Sequence, residues 1–337
     1  MGQIIAGLAS SHAYTFLEPA EWETRRQFTR TNYARRYGVE PPERPEVAGE
    51  APEANEERFS QIRDGLQHLR ARLEALQPDA LLLIGDDQDE NYREDNLPQF
   101  AIFTGESVVA ARRGSTEGTR YRCDAALSAA ILVGAVEAGF DLASSRSFPG
   151  DALISHAHTD VLRFMDPEGR IPLVPIFINA IHVPAPTPRR CYDFGRALHT
   201  IIEAQPDGKR VALYASGGLS HYTAGFPWPH YDGPATLGSI ATDFDRRAVG
   251  LIAEGRAAEL AKLSSRDILD TGNIEMRQWI VLLGALGEAR PERLVYEPFF
   301  RGLMGMAVGS WDLATAGQDS RQAAAAGANG PTARHAH

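Results

Sequence analysis

Three short apolar runs in this chain have the character of buried strands, and each ends in small or polar residues. Residues 3–9 lead to His12, residues 80–84 lead to Gly85-Asp86-Asp87-Gln88, and residues 211–215 lead to Ser216-Gly217-Gly218-Leu219-Ser220-His221. Continuous apolar runs rich in β-branched residues are typical of strands inside a sheet. Because ligands in open α/β sheets bind beyond the carboxyl ends of the strands, we expect the three polar ends to share one pocket.

Helical spacing of apolar residues predicts the segments between these strands. Residues 55–76 carry Phe59, Ile62, Leu66, Leu69, Leu73 and Leu76 on one helical face, and helices are also predicted over 20–36, 125–139, 189–204, 243–263 and 273–286. A further strand is predicted within residues 171–181. Strands that alternate with helices favour an α/β fold, with a mostly parallel or mixed central sheet flanked by helices.

The same pattern predicts a single domain over residues 1–314 with two segments of different character. Residues 18–57 carry Pro41, Pro42, Pro45 and Pro52 after the first helix and are predicted to form an excursion over the pocket. Residues 315–337 are mostly Ala, Gly, Gln and Ser, and are predicted to be a disordered tail because they offer little apolar surface to bury.

Charge and cysteine content exclude several classes of protein. The formal charge of −10 argues against nucleic acid as a partner, since phosphate binding needs a basic surface. No apolar run reaches the roughly 20 residues of a membrane span, and no signal peptide is recognisable, so a cytoplasmic location is expected. Cys123 and Cys191 are the only cysteines, which excludes a disulfide framework or a cysteine-rich metal site. A bound metal must then use His, Asp, Glu or amide ligands.

Four positions have the chemistry of a site. His12 and His221 stand at predicted strand ends, where each could instead be hydrogen-bonded to a neighbouring loop. Residues 86–89 concentrate carboxylates around an amide and suit a cation, although they could also cap a helix. Glu275 lies in an apolar helical segment, where an ionised carboxylate is costly unless it is paired or bound to a metal.

These motifs occur in the order and approximate spacing of a known family. The segments Gly7-Leu8-Ala9-Ser10-Ser11-His12, Gly85-Asp86-Asp87-Gln88, Ser216-Gly217-Gly218-Leu219-Ser220-His221 and Ile274-Glu275-Met276-Arg277-Gln278-Trp279-Ile280 resemble those of the class III extradiol ring-cleaving dioxygenases. That family includes the catalytic β subunit of protocatechuate 4,5-dioxygenase and the gallate and 3-O-methylgallate dioxygenases. The resemblance runs from about residue 2 to about residue 313.

The resemblance implies a non-haem Fe(II) site that cleaves a catechol ring with O2. It makes His12 and Glu275 iron ligands, and His221 the acid/base histidine that takes the proton of a catechol hydroxyl. His156 resembles another active-site histidine of the family, which contacts the substrate. Gln88 stands where the protocatechuate enzymes have their second histidine ligand, and we predict that Gln88 is the third protein ligand. Asp87, His156 or His158 could take that place instead, or the site could fail to bind iron.

The substrate implied by the resemblance is a small aromatic diol, with lignin-derived phenols such as gallate as the expected class. Tyr222 and Trp228, in and beside an aromatic loop, could stack on the ring, and Arg277 could pair with a ring carboxylate. The aromatic residues could equally serve packing, and the arginine a surface ion pair. A homodimer is expected from the family. Two alternatives remain open: a metal-dependent hydrolase or lyase on the same scaffold, and a non-catalytic metal-binding protein.

Overall fold

The computed structural model describes residues 1–112, 115, 117–222 and 231–313. Ten strands are found in these ranges: β1 Gln3–Ser10, β2 Ala80–Gly85, β3 Phe100–Phe103, β4 Ser107–Ala110, β5 Thr119–Arg122, β6 Leu142–Ser145, β7 Leu173–Ile178, β8 Arg210–Ser216, β9 Arg293–Phe299 and β10 Met304–Asp312. The α-helices are α1 Pro19–Tyr37, α2 Pro45–Gly49, α3 Pro52–Leu76, α4 Ala125–Glu137, α5 His156–Met165, α6 Pro188–Glu203, α7 Thr242–Ala253, α8 Ser265–Asp270 and α9 Met276–Leu286.

Eight of the strands form one mixed sheet in the order β6-β3-β7-β2-β8-β1-β10-β9, and β4 pairs separately with β5. The four central strands β7, β2, β8 and β1 run parallel, whereas β10 is antiparallel to β1 and β3 is antiparallel to β7. The predicted α/β class with a mixed central sheet is confirmed. Because β1 and β2 flank β8, the three predicted polar ends emerge side by side.

The central strands are apolar throughout because helices cover both faces of the sheet. Along β2, Leu82 and Ile84 belong to one buried cluster and Leu81 and Leu83 to the other, as the alternation of side chains in a strand requires. Helices α4, α6 and α9 contribute to the first cluster, and α3 and α5 to the second. A continuous apolar strand is the pattern expected when both faces of a parallel sheet are covered.

The segment over residues 18–57 is more helical than the sequence pattern indicates. Helix α1 matches the predicted helix, but α2 forms where an extended chain was expected, with Pro45 at its first position. Proline is tolerated there because its missing N–H has no helical partner. The side chain of Trp22 on α1 is fully buried against Phe59 of α3 and Phe299 of β9, so this segment packs on the domain.

Among the residues that the structure describes, no helix is long and apolar enough to cross a membrane. The predicted tail, residues 315–337, lies outside the described residues. The proposed limits of the domain therefore remain predictions.

Candidate metal centre and active site

The carboxyl ends of β1, β8 and β2 converge on the first residues of α9. His12 follows β1, residues 86–88 follow β2, residues 217–221 follow β8, and Glu275 is the residue that precedes α9. Sequence reasoning placed Glu275 inside the first turns of a helix, whereas it lies at the N-cap. Its side chain makes no capping bond, so its carboxylate is available to the residues at the strand ends.

Three of these residues form a group that could hold a metal ion. His12, Asp86 and Glu275 are buried, and one ligand atom from each lies within 4.8 Å of the others. His12 Nε2 is 3.6 Å from Glu275 Oε2. A neutral imidazole with two carboxylates suits a divalent cation. Such a cation would also offset the repulsion between the two buried carboxylates.

Glu275 is held by the glycine turn that follows β8. The backbone N–H of Gly218 donates to Glu275 Oε2 over 3.1 Å, and Trp279 Nε1 donates to the carbonyl of Gly217 over 2.8 Å. Gly217 has a φ of 149°, and a Cβ there would lie 2.9 Å from Glu275 Cβ. A glycine at this position therefore permits the backbone to lie directly against the Glu275 side chain.

The charge of Glu275 is stabilised by its neighbours. Burial by itself would raise the pKa of Glu275, but His221 and His12 outweigh burial and hold that pKa well below its ordinary value. The carboxylate is therefore ionised.

His12 is prepared to act as a neutral ligand. Its Nδ1 lies 3.3 Å from Ser216 Oγ, and Nε2 faces Glu275. Burial lowers the pKa of His12 to about 4, against the opposing effect of Glu275, so the ring is neutral at pH 7. The next residue, Ala13, has a φ of 55°, in the left-handed region, and its N–H is bonded to Asp160. The backbone beside this histidine is thus constrained from a second element, α5.

Gln88 bridges the two carboxylates. Its Nε2 is 3.3 Å from Asp86 Oδ2 and 3.3 Å from Glu275 Oε1. Gln88, the predicted ligand, thus lies beside the metal group of His12, Asp86 and Glu275, with its amide nitrogen toward the two carboxylates. Asp87, the alternative ligand, accepts the backbone N–H groups of Asn91 and Tyr92 instead. Its carboxylate therefore stabilises the loop after β2.

His221 lies at the same centre with a defined orientation. Its Nδ1 lies 2.9 Å from the carbonyl oxygen of Leu219, to which it donates, and its Nε2 lies 3.2 Å from Glu275 Oε1. Burial would lower the pKa of His221, but the adjacent Glu275 carboxylate raises it to about 9. The ring can therefore hold a proton at Nε2 beside the metal group.

His156 is the second histidine that faces the metal group. Its ring meets that of His12 edge to face, with centroids 4.9 Å apart, and its Nδ1 lies 2.9 Å from Glu90 Oε2. The backbone N–H of His156 donates to the same oxygen. Desolvation opposes the charged ring, but Glu90 outweighs it and raises the pKa of His156 to about 10. Glu90 fixes both the position and the charge of this ring.

His158 does not face the metal group, because both of its ring nitrogens bond other residues. Its ring is fully buried, with Nε2 at 3.1 Å from the carbonyl oxygen of Ile176 and Nδ1 at 2.8 Å from Ser155 Oγ. A Cβ at Gly85 would lie 2.7 Å from His158 Cε1, so glycine is needed at the end of β2 for this histidine to pack. Burial lowers the pKa of His158 to about 3. This ring stays neutral and supports the strand end.

The three residues predicted to bind the substrate differ in burial and in their contacts. Trp228 lies outside the described residues. Tyr222 is half-buried, and its ring centroid is 6.1 Å from that of Tyr231. Arg277 is buried on α9 and donates through Nε to Pro186 and through Nη1 to Ile274, both at main-chain carbonyl oxygens.

Sequence reasoning did not single out Asp86, Glu90 or Asp245. Asp86 was one of several acidic residues after β2, and only the structure separates it from Asp87. Glu90 acts through His156, 66 positions away. Asp245 on α7 accepts hydrogen bonds from Ser220, Asn273 and Tyr296. The signal available for Asp245 was its place as the third residue of a predicted amphipathic helix, which also fits an ordinary acidic first turn.

Comparisons with known proteins agree with this geometry. The family model for the catalytic LigB subunit of aromatic ring-opening dioxygenase matches residues 44–306. Gallate dioxygenase of Pseudomonas putida is 30% identical over 139 residues, which cover 40% of this chain and 38% of that enzyme. The 2,3-dihydroxyphenylpropionate/2,3-dihydroxicinnamic acid 1,2-dioxygenase of Azotobacter vinelandii is 25% identical over 287 residues, covering 72% of this chain and 88% of that enzyme.

A solved structure of an uncharacterized protein from Escherichia coli K12 has a TM-score of 0.48 and 14% identity, covering 91% of this chain and 99% of that one. This likeness is too distant to support a conclusion. The family match, in contrast, spans most of the described residues, and the named relatives are dioxygenases. The predicted family and enzyme class are confirmed: the chain belongs to the family of catalytic LigB subunits of aromatic ring-opening dioxygenases.

Proposed function

We propose that this protein is a non-haem Fe(II)-dependent extradiol dioxygenase that opens the ring of a catechol-type substrate with O2. The observation that carries the proposal is the buried group of His12, Asp86 and Glu275 beside the ring of His221. The donor set fits a divalent cation, because Asp86 Oδ1 is buried without a hydrogen-bond partner among the described residues. Fe(II), when bound, would supply the redox chemistry that couples a catechol to dioxygen.

The protein's own residues would hold the ion and manage the protons. His12 presents Nε2 and Glu275 presents Oε2, while the third ligand comes from the loop after β2. His221 is oriented by its bond to the Leu219 carbonyl. A cation bound at Glu275 would offset the carboxylate charge that raises the pKa of His221, and the neutral ring could then take a proton at Nε2 from a substrate hydroxyl and return it later. Such positioned acid–base groups typically contribute about 10²–10⁴-fold to the rate.

His156 is proposed to contact the substrate. Glu90 bonds both its backbone N–H and its Nδ1, which leaves Nε2 as the polar atom that can reach a bound ring. The edge-to-face contact with His12 keeps this ring beside the metal group. A histidine held in this way can donate a hydrogen bond to a phenolate oxygen without first having to be ordered.

The proposed substrate is a lignin-derived phenol such as gallate. The names of the relatives, a gallate dioxygenase and a dihydroxyphenylpropionate dioxygenase, support an aromatic diol in general. Tyr222 and Trp228 remain the predicted stacking residues, and Arg277 the predicted partner of a ring carboxylate. Burial and then Tyr231 raise the pKa of the Tyr222 phenol, and Tyr37 and Tyr33 of α1 are near enough to add to that rise, which supports the predicted excursion as one wall of the pocket. A homodimer in the cytoplasm is part of the same proposal.

Oxygen consumption tests the proposed activity. Protein purified without oxygen and loaded with Fe(II) would be offered gallate, protocatechuate, 3-O-methylgallate and catechol, while absorbance is followed for a ring-opened product. We expect uptake with at least one diol, and its loss in His12→Ala, Glu275→Gln and His221→Ala. The matched control is Glu254→Gln, an exposed glutamate at the end of α7, which should keep full activity. Bound iron without uptake on any diol contradicts ring cleavage.

One observation favours a second candidate function. A centre with one histidine and two carboxylates resembles the oxygen-rich sites of redox-inactive ions, which a metal-dependent hydrolase or lyase would use. In that case the wild type binds Mg²⁺ or Mn²⁺, consumes no oxygen with any diol, and the ring-cleavage proposal is replaced.

A further inference from the structure

The loop after β2 brings an unpartnered carboxylate to the metal group. Asp86 is fully buried, and Oδ1 has no hydrogen-bond partner among the residues that the structure describes. Its other oxygen, Oδ2, is 3.3 Å from Gln88 Nε2. An unsatisfied carboxylate oxygen in the interior is costly, and it is rarely retained without a ligand to bind it.

Asp86, whose Oδ1 is unpartnered, belongs to a group of possible metal ligands. His12, Asp86 and Glu275 place one ligand atom each within 4.8 Å of the others. Ligands bonded to one ion at about 2.0–2.2 Å are separated by about 3 Å, so small side-chain rotations would bring all three atoms into contact with a shared cation.

Gln88 bonds one oxygen of each of the two carboxylates, Asp86 and Glu275, through its amide nitrogen. Its Nε2 lies 3.3 Å from Asp86 Oδ2 and 3.3 Å from Glu275 Oε1, so one amide group bonds one oxygen of each. Asp86 Oδ1 and Glu275 Oε2 are the oxygens that this leaves, and Oε2 is the one nearest His12 Nε2. An amide nitrogen is a hydrogen-bond donor and has no lone pair to offer a metal.

We propose that Asp86 is a protein ligand of the metal ion, and that Gln88 is a positioning residue that spaces the two carboxylates. The ion is then held by His12 Nε2, Asp86 Oδ1 and Glu275 Oε2. This inference rests on the proposed function only in taking the group as a metal centre. It replaces the predicted ligation by Gln88, whose position beside the centre is retained.

The proposal has a consequence for the class of metal. Two carboxylates and one imidazole form a harder and more anionic site than two imidazoles and one carboxylate. Carboxylate ligands suit Mn²⁺ well, so the site is expected to bind Mn²⁺ as well as Fe(II). Mn²⁺ is stable in air and visible by electron paramagnetic resonance, which makes it the probe of choice.

The experiment measures Mn²⁺ binding to the full chain by equilibrium dialysis and by the resonance of the free ion. We expect Asp86→Asn to weaken Mn²⁺ binding by at least about 100-fold and Gln88→Ala by about 10-fold, the lower end of the range for a residue that only supports a ligand. The matched control Asp141→Asn changes an exposed aspartate directly before β6, outside the loop after β2, and it should bind as the wild type does. Binding that survives Asp86→Asn but is lost in Gln88→Ala overturns the proposal.

A crystal structure of the wild type soaked with Mn²⁺ gives an answer that does not depend on any variant folding. An anomalous peak with Asp86 Oδ1 within bonding distance supports the proposal, whereas a peak bonded to the Gln88 side chain in place of Asp86 overturns it. The proposed function is judged separately: Asp86-dependent Mn²⁺ binding without oxygen uptake on any diol leaves the ligand assignment standing and removes ring cleavage. Oxygen uptake on a diol together with undiminished Mn²⁺ binding in Asp86→Asn supports ring cleavage and overturns the ligand assignment.

Discussion

Two buried aspartates, Asp86 and Asp245, have different surroundings. Asp245 accepts hydrogen bonds from the Ser220 hydroxyl, from Asn273 Nδ2 over 2.9 Å and from the Tyr296 hydroxyl over 2.7 Å. Asp86 is equally buried, but its only hydrogen bond through a side-chain oxygen within the described residues comes from Gln88, and Oδ1 has none.

The difference separates a carboxylate that stabilises the fold from one that is suited to a ligand. Asp245 joins the residue before His221 to the segment before Glu275 and to β9, so both its oxygens are used within the protein. Burial raises the pKa of Asp245, and its hydrogen bonds oppose that rise. For Asp86, burial and the Glu275 charge together raise the pKa well above its ordinary value. The first arrangement is complete without a cation, and the second is not.

The largest effect on stability is expected when Asp245, whose two carboxylate oxygens both accept hydrogen bonds, is replaced. Asp245→Ala leaves the three donors without an acceptor in the interior, and we expect a loss of about 3–5 kcal/mol in the free energy of unfolding. Chemical denaturation in the presence of a chelator measures it. Asp243→Ala, at an exposed position on the same helix, should change stability by less than about 0.5 kcal/mol. Equal effects of the two substitutions would remove the distinction between the aspartates.

His158 extends the comparison to a histidine whose two ring nitrogens are both used. Its pKa is lowered to about 3 in the folded protein, against about 6.5 in the unfolded chain. The unfolded state therefore binds the extra proton first. The contribution of His158 is complete above pH 6.5 and falls by about 1.4 kcal/mol for each pH unit as the pH drops from 6.5 toward 3.

Denaturation curves at several pH values, with chelator present, test this prediction. His158→Gln should show a shallower loss of stability on acidification than the wild type, by about one proton. Parallel curves for the two proteins would mean that His158 is accessible to protons, and that its hydrogen bonds do not hold the ring neutral.

Replacement of Asp86 should raise the free energy of unfolding, whereas replacement of Asp245 should lower it. In a chelator, Asp86→Asn replaces a costly buried acid by a neutral amide of the same shape, and we expect the free energy of unfolding to rise by about 1–3 kcal/mol. Addition of Mn²⁺ should then stabilise the wild type and leave the variant unchanged. A metal-free variant less stable than the wild type would show that Asp86 supports the fold as Asp245 does.

The smallest effect concerns a single donor to Asp245. Tyr296→Phe removes one of several hydrogen bonds to that carboxylate, so the expected loss is about 1 kcal/mol. Thermal or chemical unfolding measures the change, and Tyr192→Phe, at a partly buried tyrosine on α6, provides a control. A loss as large as that of Asp245→Ala would indicate that Tyr296 carries the whole interaction.

The strands that position the site, and the residues that meet at their ends, could be predicted from the sequence. Apolar runs with polar ends predicted β1, β2 and β8, and the rule for parallel sheets predicted that His12, Gln88 and His221 would lie together. Glu275 was identifiable because an acid in an apolar helix needs a partner. These inferences succeed because each depends on residues close together along the chain.

The remaining features depend on contacts between distant segments. Asp86 and Asp87 are adjacent in sequence, yet one carboxylate turns toward Glu275 and the other toward the backbone of residues 91 and 92. Only the folded loop decides between them. The short helix α2 is likewise stabilised by its surroundings, because the Arg301 side chain donates to the Val47 carbonyl. Neither choice is visible in hydrophobic spacing.

The position of β1 between β8 and β10 has a consequence for biosynthesis. The strand that delivers His12 is synthesised more than 200 residues before either of its neighbours in the sheet. Long-range pairings of this kind form slowly, because a long chain must be closed before the contacts are made. The metal centre can therefore assemble only after nearly the whole domain has been synthesised, and a nascent chain halted before β8 would carry His12 without a site in which to use it.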